Sequence, residues 1–254
     1  MRIAILLSSG RHPVSARPAP VTVELQALRL AIDLGGGVTG LHAGPDIGPL
    51  RDVLGHGLEH LVHLRTDDAA DPTPGLAAAL SEGAYDLVLA GRAGQGGEDS
   101  GLLPYTLARA LGLPLIADAA ALEPGVEPGT LVVEQALARG ARRRLIIRLP
   151  AIVTVHPAAP PPLPFAFAAM RRGRTETRAG LPSTPAPCDI EQRPYRPRPK
   201  LIARAAPGAT AAERLKAATE SASGGGRLLV DPPPDEAARE ILQHLRTLGL
   251  IPAR

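Results

Sequence analysis

The sequence predicts an α/β protein: an open, mostly parallel, doubly wound sheet with an extended C-terminal arm. Three observations carry that prediction. Through residue 114, short apolar runs alternate with stretches whose apolar residues recur at helical spacing, the pattern of parallel strands covered on both faces by helices. Residues 131–155 break the rhythm with a hairpin-like pair of runs and one further apolar strand. From 156 to about 208 the chain is crowded with proline and arginine, which excludes a packed helix or a central strand there.

Taken in order, "RIAILL" (2–7) is a buried strand ending at Ser8, Ser9 and Gly10. A helix follows over Val23–Leu34, where Leu25, Leu28, Ala31 and Ile32 share one face and three glycines stop it. "VTGLHAG" (38–44) is a second strand. "DIGPLRDVLGHG" (46–57) reads as a helix with Pro49 near its start and Leu50, Val53 and Leu54 inward. A strand over 60–64, a helix over 72–83 and a strand over 85–91 come next. The helix from Leu103 to Leu111 carries Leu103, Leu107, Ala110 and Leu111 as its stripe, and Gly112 with Pro114 ends it. A hairpin turns at Arg139–Ala141 and feeds the strand "AIVTV" (151–155). Beyond the arm, a helix from Thr210 to Ser221, a strand "RLLV" and a last helix "DEAAREILQHLRTLG" are expected. Ordered elements after an extended arm suggest a tail that packs on another chain, with a disordered linker as the alternative.

Composition excludes several classes of function. At 254 residues and 44% apolar content the chain can bury one large core. It has no run of eighteen apolar residues, and its start lacks a basic region followed by an apolar core. Neither a membrane span nor a signal peptide is expected, and the cytoplasm is the default compartment. Cys188 is the single cysteine, which excludes an internal disulfide and any cysteine-based metal site. The formal charge of +3 is slight and aromatics make up 2% of the chain, leaving almost nothing on which nucleic-acid bases could stack. His12, His42, His56, His60 and His63 lie in or beside the predicted sheet without metal-ligand spacing. No nucleophile–histidine–acid arrangement is visible, and "SSG" at 8–10 reads as a strand-end turn. The chain is not expected to be an enzyme with chemistry of its own.

The informative stretch is "GRAGQGGEDSGLLPYTLARALGLP" (91–114), with five glycines in its first eleven positions. In an open parallel sheet ligands bind beyond the carboxyl ends of the strands. This loop leaves such an end and enters a helix N-terminus, where unpaired N–H groups and the helix dipole favour an anion. The spacing suits a phosphate cradle, although it is neither a GxGxxG nor a P-loop pattern; a merely flexible loop is the alternative.

Across most of its length the sequence resembles the β subunits of electron transfer flavoproteins. The likeness is carried by "MRIAILLS", "ELQALRLAIDLGGGVTGLHAGP", "LRDVLGHGLEHLVHL", "YDLVLAGRAGQGGEDSGLLPYTLARALGLP", "LPAIVTV", "FAFAAMRRGR" and "RLLVDPPPDEAAREILQHLRTLGLI", in that order. The resemblance implies an adenine-nucleotide α-hydrolase-like sheet in residues 1–158. A recognition segment and arm would occupy 159–208, and a helix–strand–helix over 209–254 would pack on a partner. It also implies a heterodimer whose α subunit carries the redox-active FAD, an electron carrier rather than an enzyme. Electrons would arrive from a flavoprotein dehydrogenase and leave towards a quinone reductase.

In ordinary members of that family the β subunit holds AMP, and in electron-bifurcating members a second FAD. For this chain the resemblance implies AMP ahead of a second FAD, with an empty site as the alternative. Carried over by position, the nucleotide would be held by Leu6 and Ala43 on the adenosine side. The phosphate-gripping stretch would be Arg92, Gly96, Gly97, Glu98, Asp99, Ser100, Gly101, Leu102 and Leu103. Here the family's hydroxyl and amide donors are largely replaced, leaving Ser100 and backbone N–H groups. In the same way "RPAPVTVE" has Arg17 and Pro18 but Pro20 and Val21 in place of two acids. Docking of the donor would fall to Phe165, Phe167 and Met170, with Arg171, Arg172 and Arg174 steering an acidic patch; Phe165 and Phe167 folded against their own domain is the alternative. Two further classes compete with this reading. A stand-alone adenine-nucleotide module of the stress-protein type would need no arm, and an ATP-dependent ligase or sulfurtransferase would want an "SGGxDS"-like loop that "SSGRHP" does not provide.

Overall fold

The computed structural model describes residues 1–12, 14–67, 70–95, 99–181, 210–211, 229–247 and 250. The chain divides into two compact units, residues 1–189 and 190–254. In the first, β1 (Arg2–Leu6) leads through a small antiparallel hairpin, β2 (Ser9–Arg11) and β3 (Pro18–Pro20), into α1 (Thr22–Asp33). Then come β4 (Gly37–Gly44), a 3₁₀ segment (Gly48–His56), β5 (His60–Arg65), α2 (Thr73–Gly83), β6 (Leu87–Gly91) and α3 (Leu103–Leu111). They are followed by β7 (Leu115–Pro124), β8 (Thr130–Ala136), β9 (Arg142–Arg148), β10 (Ala151–Val155), α4 (Phe167–Arg172) and β11 (Arg174–Ala179).

Nine strands form one sheet in the order β11-β5-β4-β1-β6-β10-β7-β8-β9. From β11 to β7 every neighbouring pair is parallel, and β8 and β9 extend the sheet as an antiparallel hairpin. The open, mostly parallel α/β fold expected from the sequence is therefore present. The reason is visible in β1, β6 and β10, whose residues are almost all buried: continuous apolar strands need cover on both faces. One face packs on α1 and the 3₁₀ segment through Ile3, Ile5, Leu28, Leu50, Leu61 and Leu89. The other packs on α2 and α3 through Leu6, Leu41, Val62, Leu76, Leu80 and Leu107.

Four local features differ from the expectation. Residues 48–56 wind as a 3₁₀ segment rather than an α-helix, stopped by Gly57 at φ +99. Residues 115–124 form a strand that an alanine-rich run, "LIADAAALEP", did not signal. The β2–β3 hairpin uses prolines at Pro18 and Pro20, which a two-stranded ribbon tolerates on its open sides. Within the proline-rich region, α4 and β11 occupy the proline-free stretch 165–180. There β11 is an edge strand, consistent with the exclusion of a central one.

In the second unit the last helix is present as Pro234–Thr247, with Asp235 and Glu236 in its first turn and His244 and Arg246 in its last, charges that oppose the helix dipole at both ends. Of the expected strand "RLLV" (227–230), Leu229 and Val230 are described and do not lie in a strand, while Arg227 and Leu228, like all but two residues of the helix expected from Thr210, lie outside the described residues.

Candidate functional site

Sheet growth reverses at β1: the chain adds β4 and β5 on one side, then crosses to place β6 on the other. Such a switch point opens a crevice beyond the carboxyl ends of the two diverging strands. Here those ends are Leu6–Ser8 after β1 and Gly91–Gln95 after β6, and they are tied together. Ser8 N–H donates to Glu24 Oε2 at 2.8 Å, and Ser8 Oγ is hydrogen-bonded to Glu24 Oε1 at 2.5 Å. Gln95 N–H donates to Ser8 Oγ at 2.9 Å, and Arg11 N–H donates to Gln95 Oε1 at 3.1 Å.

Glycine is required where these segments meet. A Cβ at Gly91 would stand 3.0 Å from Glu24 Cγ, and one at Gly94 would stand 3.0 Å from Ser8 Oγ. At Gly10 it would meet Ala19 O at 2.8 Å and Gln95 Oε1 at 2.9 Å. Part of the glycine content of the loop thus serves the close approach of loop to strand end.

Glu24 is 3% exposed. Burial pushes its carboxyl up to about 8, opposed by the two hydrogen bonds from Ser8, so at neutral pH it is mostly the uncharged acid. Sequence reasoning missed Ser8, Glu24 and Gln95. A signal was available: Glu24 precedes Leu28 by four positions and Ala31 by seven, which puts an acid on the buried stripe of α1.

Of the residues expected to hold a nucleotide, Leu6 is buried at the end of β1 and Ala43 packs on the same side of the sheet. Arg92 pairs with Asp118 at 3.4 Å. Asp118 has φ +58, and its N–H donates to Thr154 Oγ1 at 3.0 Å. Those contacts join the carboxyl ends of β6 and β10 to Asp118 within β7. Asp99 has φ +52, and Ser100 Oγ accepts the Leu102 N–H at 3.3 Å. Gly101 has φ +69, and a Cβ there would stand 2.8 Å from Arg92 O. Leu102 is exposed and Leu103 opens α3. The Leu102 N–H is thereby taken, and Pro104 has none to offer. Gly96, Gly97 and Glu98 lie outside the described residues.

Beside the crevice, His42 and His63 stack at 5.6 Å between ring centroids and 19° between planes. His42 Nδ1 meets Leu7 O at 2.9 Å and His63 Nε2 meets Gly44 O at 2.8 Å. A carbonyl only accepts, so each of these nitrogens carries the proton. His42 Nε2 and His63 Nδ1 are buried without a hydrogen bond. Among the described residues no group of three or more His, Cys, Asp or Glu side chains is placed to hold a metal ion, and no helix is long and apolar enough to cross a membrane.

The expected docking residues cluster around α4. The Phe165 ring fills the space above Gly55, where a Cβ would overlap it, and meets the His56 ring edge-on at 5.6 Å. Phe165 is still 47% exposed and Phe167 63%. Met170 is half-buried against the core beside the 3₁₀ segment, while Arg171, Arg172 and Arg174 are exposed.

Comparison with known proteins agrees with this arrangement. The family model described as "Electron transfer flavoprotein domain" matches residues 16–182, which include α1, the glycine loop and the α4 segment. A curated relative, "Electron transfer flavoprotein subunit beta" of Chromohalobacter salexigens, is 41% identical over 235 residues, covering 88% of this chain and 85% of that protein. With the family model matching most of the chain and a curated relative 41% identical over 88% of it, the chain belongs to the electron transfer flavoprotein family.

Proposed function

We propose that the chain is the β subunit of a heterodimeric electron transfer flavoprotein in the cytoplasm, a carrier without substrate chemistry of its own. It pairs with an α subunit holding the redox-active FAD, receives electrons from a flavoprotein dehydrogenase and passes them towards a quinone reductase. The supporting observation is the breadth of the likeness to a relative named as a β subunit, 41% identical over 88% of this chain.

An adenine nucleotide, AMP ahead of a second FAD, is proposed for the β1/β6 crevice. The residues present fit it. Gly101 brings the loop backbone to a distance from Arg92 O that no side chain would allow, Gly94 packs tightly on Ser8, and a backbone cradle binds phosphate without particular side chains. Leu6 and Ala43 supply apolar contact, with Arg92, Asp99, Ser100 and the adjoining Gly96, Gly97 and Glu98 on the phosphate side. Leu102 and Leu103 close the stretch where it enters α3. Bound FAD supplies the electron chemistry; this chain binds, orients and shields. In docking, Phe165 and Met170 seat the recognition segment on its own domain, Phe167 faces the donor, and Arg171, Arg172 and Arg174 steer an acidic partner.

Co-expression with the candidate α subunit tests this reading. The expected result is a one-to-one yellow complex whose flavin is reduced by a flavoprotein dehydrogenase. A chain that stays a colourless monomer beside every α subunit offered overturns it.

A further inference from the structure

We infer that Glu24 is a positioning residue: acting through Ser8, it latches the root of the glycine loop, residues 91–95, over the β1/β6 crevice. As a statement about nucleotide binding, the inference rests on the crevice being the nucleotide site. As a statement about the loop, it stands on geometry alone.

The hydrogen bonds run Glu24–Ser8–Gln95–Arg11 and join α1, the end of β1 and the β2–β3 hairpin to the glycine loop more than eighty residues away in sequence. A carboxyl group suits the first position because Ser8 presents two groups, its N–H and its Oγ, and each meets a different oxygen. Gly91 and Gly94 leave room for that carboxyl group. Removing Ser8 Oγ would strand both Glu24 Oε1 and the Gln95 N–H, and a buried polar group left without a partner is costly.

Protonation state then governs the latch. The neutral carboxyl group donates from Oε1 to Ser8 Oγ, which also accepts the Gln95 N–H, so the Ser8 proton is released for a ligand oxygen. The ionised group would take that proton back as a hydrogen bond and would itself lie buried without a countercharge. α1 packs on β1, β4, β6, β10 and the 3₁₀ segment, and no charged side chain from any of them shifts Glu24; only burial and Ser8 do. Opening the loop admits water to the ionised form. Closure is therefore strongest at low pH and weakens as pH rises towards about 8.

Hydrogen exchange of the full-length chain, followed at the 91–95 segment between about pH 6 and 8 and corrected for intrinsic rates, tests the latch. The wild-type protection factor falls with rising pH. Glu24→Gln, neutral and of the same shape, stays protected and loses that slope. Ser8→Ala loses protection about tenfold throughout, while the amides of Leu87–Ala90 in the central strand β6 are little changed. Unaltered protection in Ser8→Ala, or a wild-type slope in Glu24→Gln, overturns the inference. Added AMP separates the two claims: a latch that responds to Ser8 and pH while AMP protects nothing refutes only the nucleotide site. AMP protection of a loop indifferent to Ser8 and Glu24 refutes only the latch.

Discussion

Glu24 and His42 are both held uncharged by burial, and their effects on stability run in opposite directions. The carboxyl group is raised from 4.5 to about 8 in the fold, so its contribution is complete below the unfolded value and is lost as pH climbs through that window. His42 is lowered from 6.5, chiefly by burial and, with smaller influence, by the charge of His63; the Leu7 and Asp46 backbone and the Asp46 charge oppose this. Its contribution is present above the unfolded value and is lost as pH falls through the lowered one. Just below 6.5 the His42 slope opposes that of Glu24; above it only the Glu24 slope remains. Urea denaturation across pH is expected to show stability declining from about 6.5 towards 8, and Glu24→Gln is expected to flatten that decline. An unchanged decline in the variant would contradict the assignment. The sequence does place Glu24 on the buried face of α1, but its partner Ser8 across the crevice was not legible from it.

Helices and strands with strong periodicity were legible: α3 occupies Leu103–Leu111, and β1, β4, β5, β6 and β10 fall on the apolar runs. The rest had physical reasons to hide. In β7 small alanines and a register shift near Asp118 weaken the strand pattern. In β11 the sequence "RTETRA" is polar on both faces, and the strand is defined by its ladder to β5. Its exposed ion pairs, Glu176 with His60 and Arg178, and Arg178 with Glu82, add little.

The α4 segment shows what exposure alone could not. Phe165 and Phe167 are two residues apart, yet the first is seated on Gly55 and His56 while the second is freer. Phe165→Ala is expected to lower stability by about 1–2 kcal/mol, less than the loss of a fully buried phenylalanine. Phe167→Ala is expected to stay within about 0.5 kcal/mol of wild type while slowing electron acceptance from the dehydrogenase. Thermal or urea unfolding together with donor kinetics checks the pair; equal stability losses would contradict the division of roles.

For the whole molecule, the switch point explains why the informative loop lies where it does: β1 and β6 diverge there, and their following segments must cover the gap between them. Sequence spacing located the glycine loop and the residues on either side of it. It could not reveal that Ser8 and Gln95 bind each other, since 87 residues separate them and only the parallel pairing of β1 with β6 brings them together. On the proposed function, a β subunit built in this way would contribute docking and a nucleotide site, and would leave the redox chemistry to the flavin. The most direct test is to denature the purified heterodimer and count what is released. The account predicts one FAD and one AMP for each pair of chains; a complex that yields FAD but no adenine nucleotide beyond it would contradict the nucleotide site.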